Sequence, residues 1–423
     1  MSDHDDDSAV SEPSSTTTRN CGNRDGPGSY TLSHADVRSG AVPTSAEARA
    51  KRRIAALEEE LQTMKEGRGT KLRKTTYFNA QGRAIRRMVI LYTNLEDLIV
   101  ENDRRYEESL ADGSVERNTL EQDRLQHGYV VLSQTLPWIH TKFSEFDIDD
   151  SDDMIKKLKK GGNAARGDDT STLKDLIAAW VNQDFHPSHL LRSDDKQARG
   201  FAHDVCGRLL CPAEWDWTDD RVKAGIRDRT SDFIVSENSW PMFVYKNYSF
   251  DSNDMEKGLF KSKILVQAFK AVFTSPSSAK EADGDGDGAD IIENNRRARR
   301  ALTQVKVKTC VASIINMRKV TARSIAYVVC QVRFALSSVS SWRTIEGDFD
   351  YEAFWNNIVD FFEAVPGPVA RRRVDTLLEW WTRKIFGKNH REDLTPEVVS
   401  RMSVTALAEQ RQVLEDAAFD SLA

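Results

Sequence analysis

Apolar side chains recur three and four residues apart through most of the chain beyond residue 80, and they are sparse before residue 45. Ile85, Met88, Val89, Tyr92, Leu95, Leu98 and Ile99 keep the period that lays one stripe of a helix against a core. They predict one long helix from Gly82 to about Asp103. Leu120, Leu125, Val130 and Leu132 extend the pattern from about Val115 to Pro137, where proline removes a backbone donor and stops the helix. The two read as a helical hairpin. The same periodicity predicts helices over Ser171–Asn182, Asp219–Asp228, Met255–Phe273, Thr321–Ser338, Tyr351–Ala364, Pro368–Phe386 and Pro396 to about Phe419. Pro368 suits a first helical turn, and Thr395 before Pro396 is a cap followed by a good first residue. Phe354, Trp355, Ile358, Phe361 and Phe362 would face Leu377, Leu378, Trp381 and Ile385 across the Val365–Pro368 turn, with the 321–338 helix packed on both. No series of short β-branched strands appears, nor any alternation of strand with helix. The expected fold class is therefore all-α, an irregular multi-helix globular domain with a small hairpin or extended pieces around Phe233–Tyr248.

Breaks in the pattern divide the chain. Residues 1–45 hold six large apolar residues among many Ser, Thr, Gly, Asp and Asn, too few to offset the entropy of ordering, so a disordered acidic tail is expected there. Over 46–66, Thr44 and Glu47 have the spacing of a capping box, and Ile54, Leu57, Leu61 and Met64 form a short a/d seam. That seam predicts a short coiled-coil-like helix through which the chain could pair with itself, or else an amphipathic helix packed on its own domain. From Glu145 to Asp153 six of nine residues are acidic, and Lys156, Lys157, Lys159, Lys160, Gly161 and Gly162 follow. This is linker composition. It predicts a boundary between a helical hairpin subdomain, 75–145, and a helical core subdomain, 165–390, followed at 391–423 by a C-terminal helix or flexible tail.

Composition narrows the class. With 60 basic and 66 acidic residues the net charge is −6, and the tail's eight acids against four arginines over residues 1–50 leave the remainder nearly neutral. A histone-like protein is excluded, and the apolar runs are too short to span a bilayer. The N-terminus lacks the features of a secretory signal, and the five cysteines are too few and scattered for a disulfide framework. An intracellular protein of nucleus or cytoplasm, without membrane attachment, is expected.

Three constellations could carry chemistry. His186, His189, His203, Cys206 and Cys211 are of zinc-ligand type, His203 and Cys206 falling on one helical face, but their spacings match no zinc signature. Packing residues near Leu209 and Leu210 are the alternative. Asp283-Gly284-Asp285-Gly286-Asp287-Gly288 has the opening of a calcium loop, yet Asn294 stands where its closing glutamate belongs and Asp290 where an apolar anchor belongs. A solvated linker is expected instead. Arg296, Arg297, Arg299, Arg300, Lys306, Lys308, Arg318, Lys319 and Arg323 put nine positive charges into a stretch with no acid, and Lys71, Arg73, Lys74, Arg83, Arg86 and Arg87 form a second group. Such runs neutralise phosphates or serve nuclear import; otherwise they are solvated faces paired with acids. No phosphate loop, dinucleotide fingerprint, zinc-protease helix or nucleophile elbow is present, and no cofactor is implied.

Certain phrases in order carry a resemblance: Arg199-Gly200-Phe201-Ala202-His203, Gly207-Arg208-Leu209-Leu210-Cys211-Pro212, Asp216-Trp217, Trp240-Pro241, Gly258-Leu259-Phe260, Ser275-Pro276-Ser277-Ser278, Ile325-Ala326-Tyr327, Phe334-Ala335-Leu336-Ser337-Ser338 and Leu377-Leu378-Glu379-Trp380-Trp381. Over roughly 75–390 the chain resembles a large family of uncharacterised proteins from mushroom-forming fungi, built on a domain of unknown function. The resemblance implies no activity and no catalytic residue. It implies a non-ligand at the position of Cys206 and variability at Arg296–Arg300, against shared zinc or nucleic-acid roles. The functional expectation is a non-enzymatic protein-interaction or scaffold protein; the competing one is a nuclear nucleic-acid-associated factor using 296–323, and a zinc protein or enzyme comes last.

Overall fold

The computed structural model describes residues 77–110, 117–300, 310–387 and 394–420. The expected tail at 1–45, the seam of Ile54, Leu57, Leu61 and Met64, the basic residues Lys71, Arg73 and Lys74, and Lys306 and Lys308 lie outside them. Helices dominate, and among the described residues the strands are the two-residue pair β1 (Ile345–Glu346) and β2 (Phe349–Asp350), joined antiparallel. The fold is all-α, as the periodicity predicts. Among the described residues no helix is long and apolar enough to cross a membrane.

The expected single helix from Gly82 to Asp103 is two, α1 (77–88) and α2 (Leu95–Leu110). The apolar period runs straight through the break, but arginines take the carbonyls the helix gives up. Arg323 donates to the Val89 oxygen at 2.8 Å and Arg86 donates to that of Leu91. Helix α3 (Leu120–Thr135) starts at a capping box of Thr119 and Gln122 and packs on α2 as expected. A short α4 (Ile139–Glu145) follows.

The largest departure from expectation is α5, which runs unbroken for 38 residues from Ile148 to Phe185, through the predicted linker and boundary. Asp147 caps it by accepting from the Asp150 amide, and Asp149 and Asp150 sit in its first turn, where acids complement the positive end of the helix dipole. Lys157 pairs with Asp153 one turn away. The two glycines are a contact surface. A Cβ on Gly161 would stand 2.1 Å from the Asn79 carbonyl oxygen of α1, and one on Gly82 of α1 would stand 1.9 Å from the Leu158 oxygen of α5. The helices thus cross backbone to backbone, each supplying a glycine to the other.

Helix α5 also joins two apolar clusters. Met154 and Leu158 pack with Phe78, Ile85, Leu98, Tyr129 and Leu132 in one; Leu173, Ile177 and Val181 pack in the larger one. The larger cluster centres on α11 (Ala322–Leu336), buried from Arg323 to Leu336 and packed against α5, α8 (Lys263–Phe273) and α12 (Tyr351–Glu363). Phe354, Ile358 and Phe362 of α12 and Leu377, Trp381 and Ile385 of α13 (Pro368–Phe386) join it, as the apolar spacing predicts. Helix α8 begins later than expected, because Gly258 and Phe260 adopt positive φ (79° and 54°) before Ser262 caps it. The helices α6 (Asp204–Leu210), α7 (Asp220–Asp228), α9 (Gly288–Arg300), α10 (Val311–Ile314), α14 (Pro396–Ser400) and α15 (Ser403–Asp420) complete the set. The expected Pro396–Phe419 helix is split by a turn at Arg401–Met402. Gly207 lies inside α6 with the Trp217 ring where its Cβ would be.

Candidate anion-binding cleft

The C-terminal end of α11 is where buried charge collects. A helix leaves its last carbonyls without intrahelical donors, and they attract cations. Here two residues of the preceding segment supply them. Lys196 donates to the Phe334 and Ser337 carbonyls, the latter at 2.9 Å, and lies over the Phe334 ring. Arg199, fully buried, donates to Ala335 O at 2.8 Å and to Lys174 O and Arg192 O at 3.0 Å. Both cations are therefore structural first: they hold the 191–202 segment against α11.

Arg333, one turn from that end, is different. It is 3% exposed, its Nε and Nη1 have no hydrogen-bond partner, and it forms no ion pair among the described residues. Its guanidinium carbon lies 3.3 Å from the centroid of Phe349 on β2 and 5.5 Å from that of Tyr351. Aromatic faces offset part of the cost of burying a cation, and hydrogen-bonded carboxylates normally supply the rest. The nearby carboxylate of Glu346 instead accepts from the Tyr351 hydroxyl at 2.9 Å.

Arg333 and Arg199 line a cleft of about 500 Å³. One wall is the turn Gly200–Ala202, with Gly200 at φ 67° against Ser338; the other is the end of α7 and the segment to Val235. Phe201, Ile226, Phe233, Val235 and Phe349 give it an apolar side, and Gln197, Thr230 and Ser338 join the charged residues on a polar one. At the rim Arg227 donates to Phe201 O at 2.9 Å, and Arg229, left-handed at the end of α7, faces Asp348 of the β1–β2 turn at 3.6 Å. Four arginines against Glu346 and Asp348 leave the lining net positive. A cleft of this size that combines apolar walls with convergent charges has the form of a recognition site. Chemically it can hold an anion; the described groups there offer donors rather than a base beside a nucleophile.

Burial, with Arg199 beside it, pushes the Lys196 ammonium down to about 7 from a lysine's usual 10.5. Below pH 7 folded and unfolded chains both carry the proton; above it only the unfolded chain does, so this residue's contribution to stability rises with pH up to about 10.5. In urea unfolding, the wild type is expected to gain up to about 1 kcal/mol per pH unit over Lys196→Met between pH 7.5 and 9.5. Parallel pH profiles for the two would rule this out.

The sequence-predicted site residues are used elsewhere. His203 caps α6 by accepting from the Cys206 amide at 3.3 Å, and its Nε2 lies 2.7 Å from the His189 carbonyl oxygen. His186 is a left-handed helix end, and burial pushes the Cys206 and Cys211 thiols up to about 12. Among the described residues no three His, Cys, Asp or Glu side chains gather as metal ligands. In the Asp283–Gly288 loop Asp283, Gly284, Asp285 and Asp287 are exposed, as a solvated linker requires, but the loop is also anchored: the Gly286 amide donates to Arg383 O at 3.0 Å, and Asp285 pairs with Arg383 at 2.8 Å on the end of α13. In the basic runs, Arg87 and Arg323 are buried in ion pairs with Asp169 and Glu363, and Arg83 pairs with Asp168. Arg296 and Arg297 are exposed on α9 and share Glu293, and Arg318 and Lys319 are exposed; the side chains of Arg299 and Arg300 lie outside the described set.

Residues 160–386, more than half of the chain, match a family of unknown function, DUF6698. The chain belongs to that family. No curated protein and no solved structure matches it. The DUF6698 region is shorter than the 75–390 span of the resemblance and contains every residue of the cleft. Arg333 escaped the sequence reading although its signal was present: it is a charge inside Val328-Val329-Cys330-Gln331-Val332-Arg333-Phe334-Ala335-Leu336, a run otherwise apolar but for one glutamine.

Proposed function

We propose that this DUF6698 protein, of the fungal kind its phrases resemble, is a non-enzymatic protein-interaction protein of the nucleus or cytoplasm that holds its partner at the arginine cleft. The observation that supports this reading is Arg333, buried beside a cleft of about 500 Å³ with no acid paired to it among the described residues. An anionic group brought by a partner would supply the missing charge, and such a contact is strong in a desolvated site. Purified full-length protein should bind fluorescein-labelled peptides that combine Asp or Glu with Phe or Leu, and ignore Lys-rich peptides of equal length. Arg333→Met is expected to weaken binding about tenfold or more; equal binding by the variant would sink the reading. Self-association through Ile54, Leu57, Leu61 and Met64 belongs to the same proposal, and Leu57→Asp with Leu61→Asp should abolish it in size-exclusion chromatography. The competing reading, a nucleic-acid-associated factor, draws on the exposed Arg296 and Arg297. Salt-dependent binding of single-stranded DNA or RNA that is lost in Arg296→Ser/Arg297→Ser would favour it instead.

A further inference from the structure

The cleft also restricts what kind of anion it can take. Glu346 and Asp348 line it together with the arginines, so a second negative charge on the ligand would meet them. Arg199 and Arg227 already donate to backbone carbonyls and Arg229 faces Asp348, so the guanidinium left with two unpartnered donors is that of Arg333, and one carboxylate answers it where a phosphate ester would bring nearly two charges. The remaining surface, with Phe201, Ile226, Phe233 and Phe349, asks for an apolar group close to the charge. Within about 500 Å³ the two must sit a few bonds apart. An internal acidic residue brings its apolar neighbour only across a peptide unit, which sets the two groups further apart. A chain terminus is simpler: its carboxylate and its own side chain leave the same carbon.

We infer that the Arg333 cleft is a site for a carboxylate borne on an apolar residue, and that in the cell this is the C-terminal residue of a partner polypeptide. This rests on the cleft being the recognition site and adds the identity of the group recognised. Small aliphatic or aromatic acids share the chemistry and would enter the same site more weakly, having no chain to extend along the rim.

The test uses full-length protein and a labelled hexapeptide ending in Phe, prepared as the free acid and as the C-terminal amide. The acid is expected to bind about tenfold or more tightly than the amide, the scale of one charge-assisted pair. Arg333→Met should erase that difference, a readout that mere loosening of the fold would not produce, and Arg333→Lys should keep part of it. The wild-type comparison of acid with amide decides even if the variants fold poorly. N-acetylphenylalanine should compete less well than the peptide acid; equal competition would assign the site to small acids and overturn the polypeptide source. Phenyl phosphate should compete less well than N-acetylphenylalanine, and its better competition would overturn the monoanion. Equal binding of acid and amide, with both weakened by Arg333→Met, would overturn this inference and leave the interaction reading standing. Binding of either peptide that ignores Arg333 would overturn both.

Discussion

Asp169→Asn is expected to lower the unfolding free energy by about 3–5 kcal/mol, the usual cost of leaving one partner of a buried ion pair uncompensated. Asp169 is 7% exposed and receives both Nε and Nη2 of Arg87 at 2.7 Å, with Arg87 itself 2% exposed. The Tyr327 hydroxyl donates to the same carboxylate at 2.8 Å, Gln331 donates to that hydroxyl at 3.0 Å, and Thr170 links Gln331 to the Trp342 indole. The network ties α1, α5 and α11 at one point, so the amide substitution disturbs three helices. Urea unfolding followed by circular dichroism gives the number. The double variant Arg87→Met/Asp169→Leu should recover most of the loss, since replacing both members by apolar residues removes the stranded charge. A loss below about 1 kcal/mol for Asp169→Asn would mean that water reaches the pair.

Gly161→Val is expected to cost about 3 kcal/mol, at the upper end of what overpacking does, because the obstacle is the α1 backbone and no rotamer can clear it. Even alanine at 161 or 82 should destabilise, although alanine favours a helix by about 1 kcal/mol over glycine. Gly167 supplies the control. It lies in the same helix with nothing within 4 Å of its Cβ position, so Gly167→Ala should stabilise by roughly 0.5–1 kcal/mol. If Gly161→Ala and Gly167→Ala shifted the urea midpoint in the same direction, the backbone crossing would be refuted.

What could be read from the sequence followed the strength of the apolar period. Helices α11, α12 and α13 were legible, because their stripes are long and Thr321, Asp350 and Pro368 mark their starts. Helix α5 was hidden in its first half by acids, lysines and paired glycines that mimic a linker. Each has a helical reason: the acids face the helix dipole, the lysine answers an acid one turn back, and the glycines admit another backbone. The cleft was half legible. A lone arginine in the apolar run of α11 is an anomaly any reading can mark, but its lack of a carboxylate partner among the described residues is a fact of tertiary packing. Arg199, Arg229 and Phe349 come from segments far apart in the chain, and no spacing rule connects them.

The DUF6698 match opens at residue 160, in the middle of α5 and one residue before Gly161. The border of sequence similarity is therefore not a border of autonomous folding. A fragment beginning there would lack the first 12 residues of that helix, its glycine face bare and Asp169 stripped of Arg87. Recombinant work on this protein should keep residues from α1 onward, and any relative whose chain starts near that border needs another element, its own or a neighbour's, to lie along the same groove.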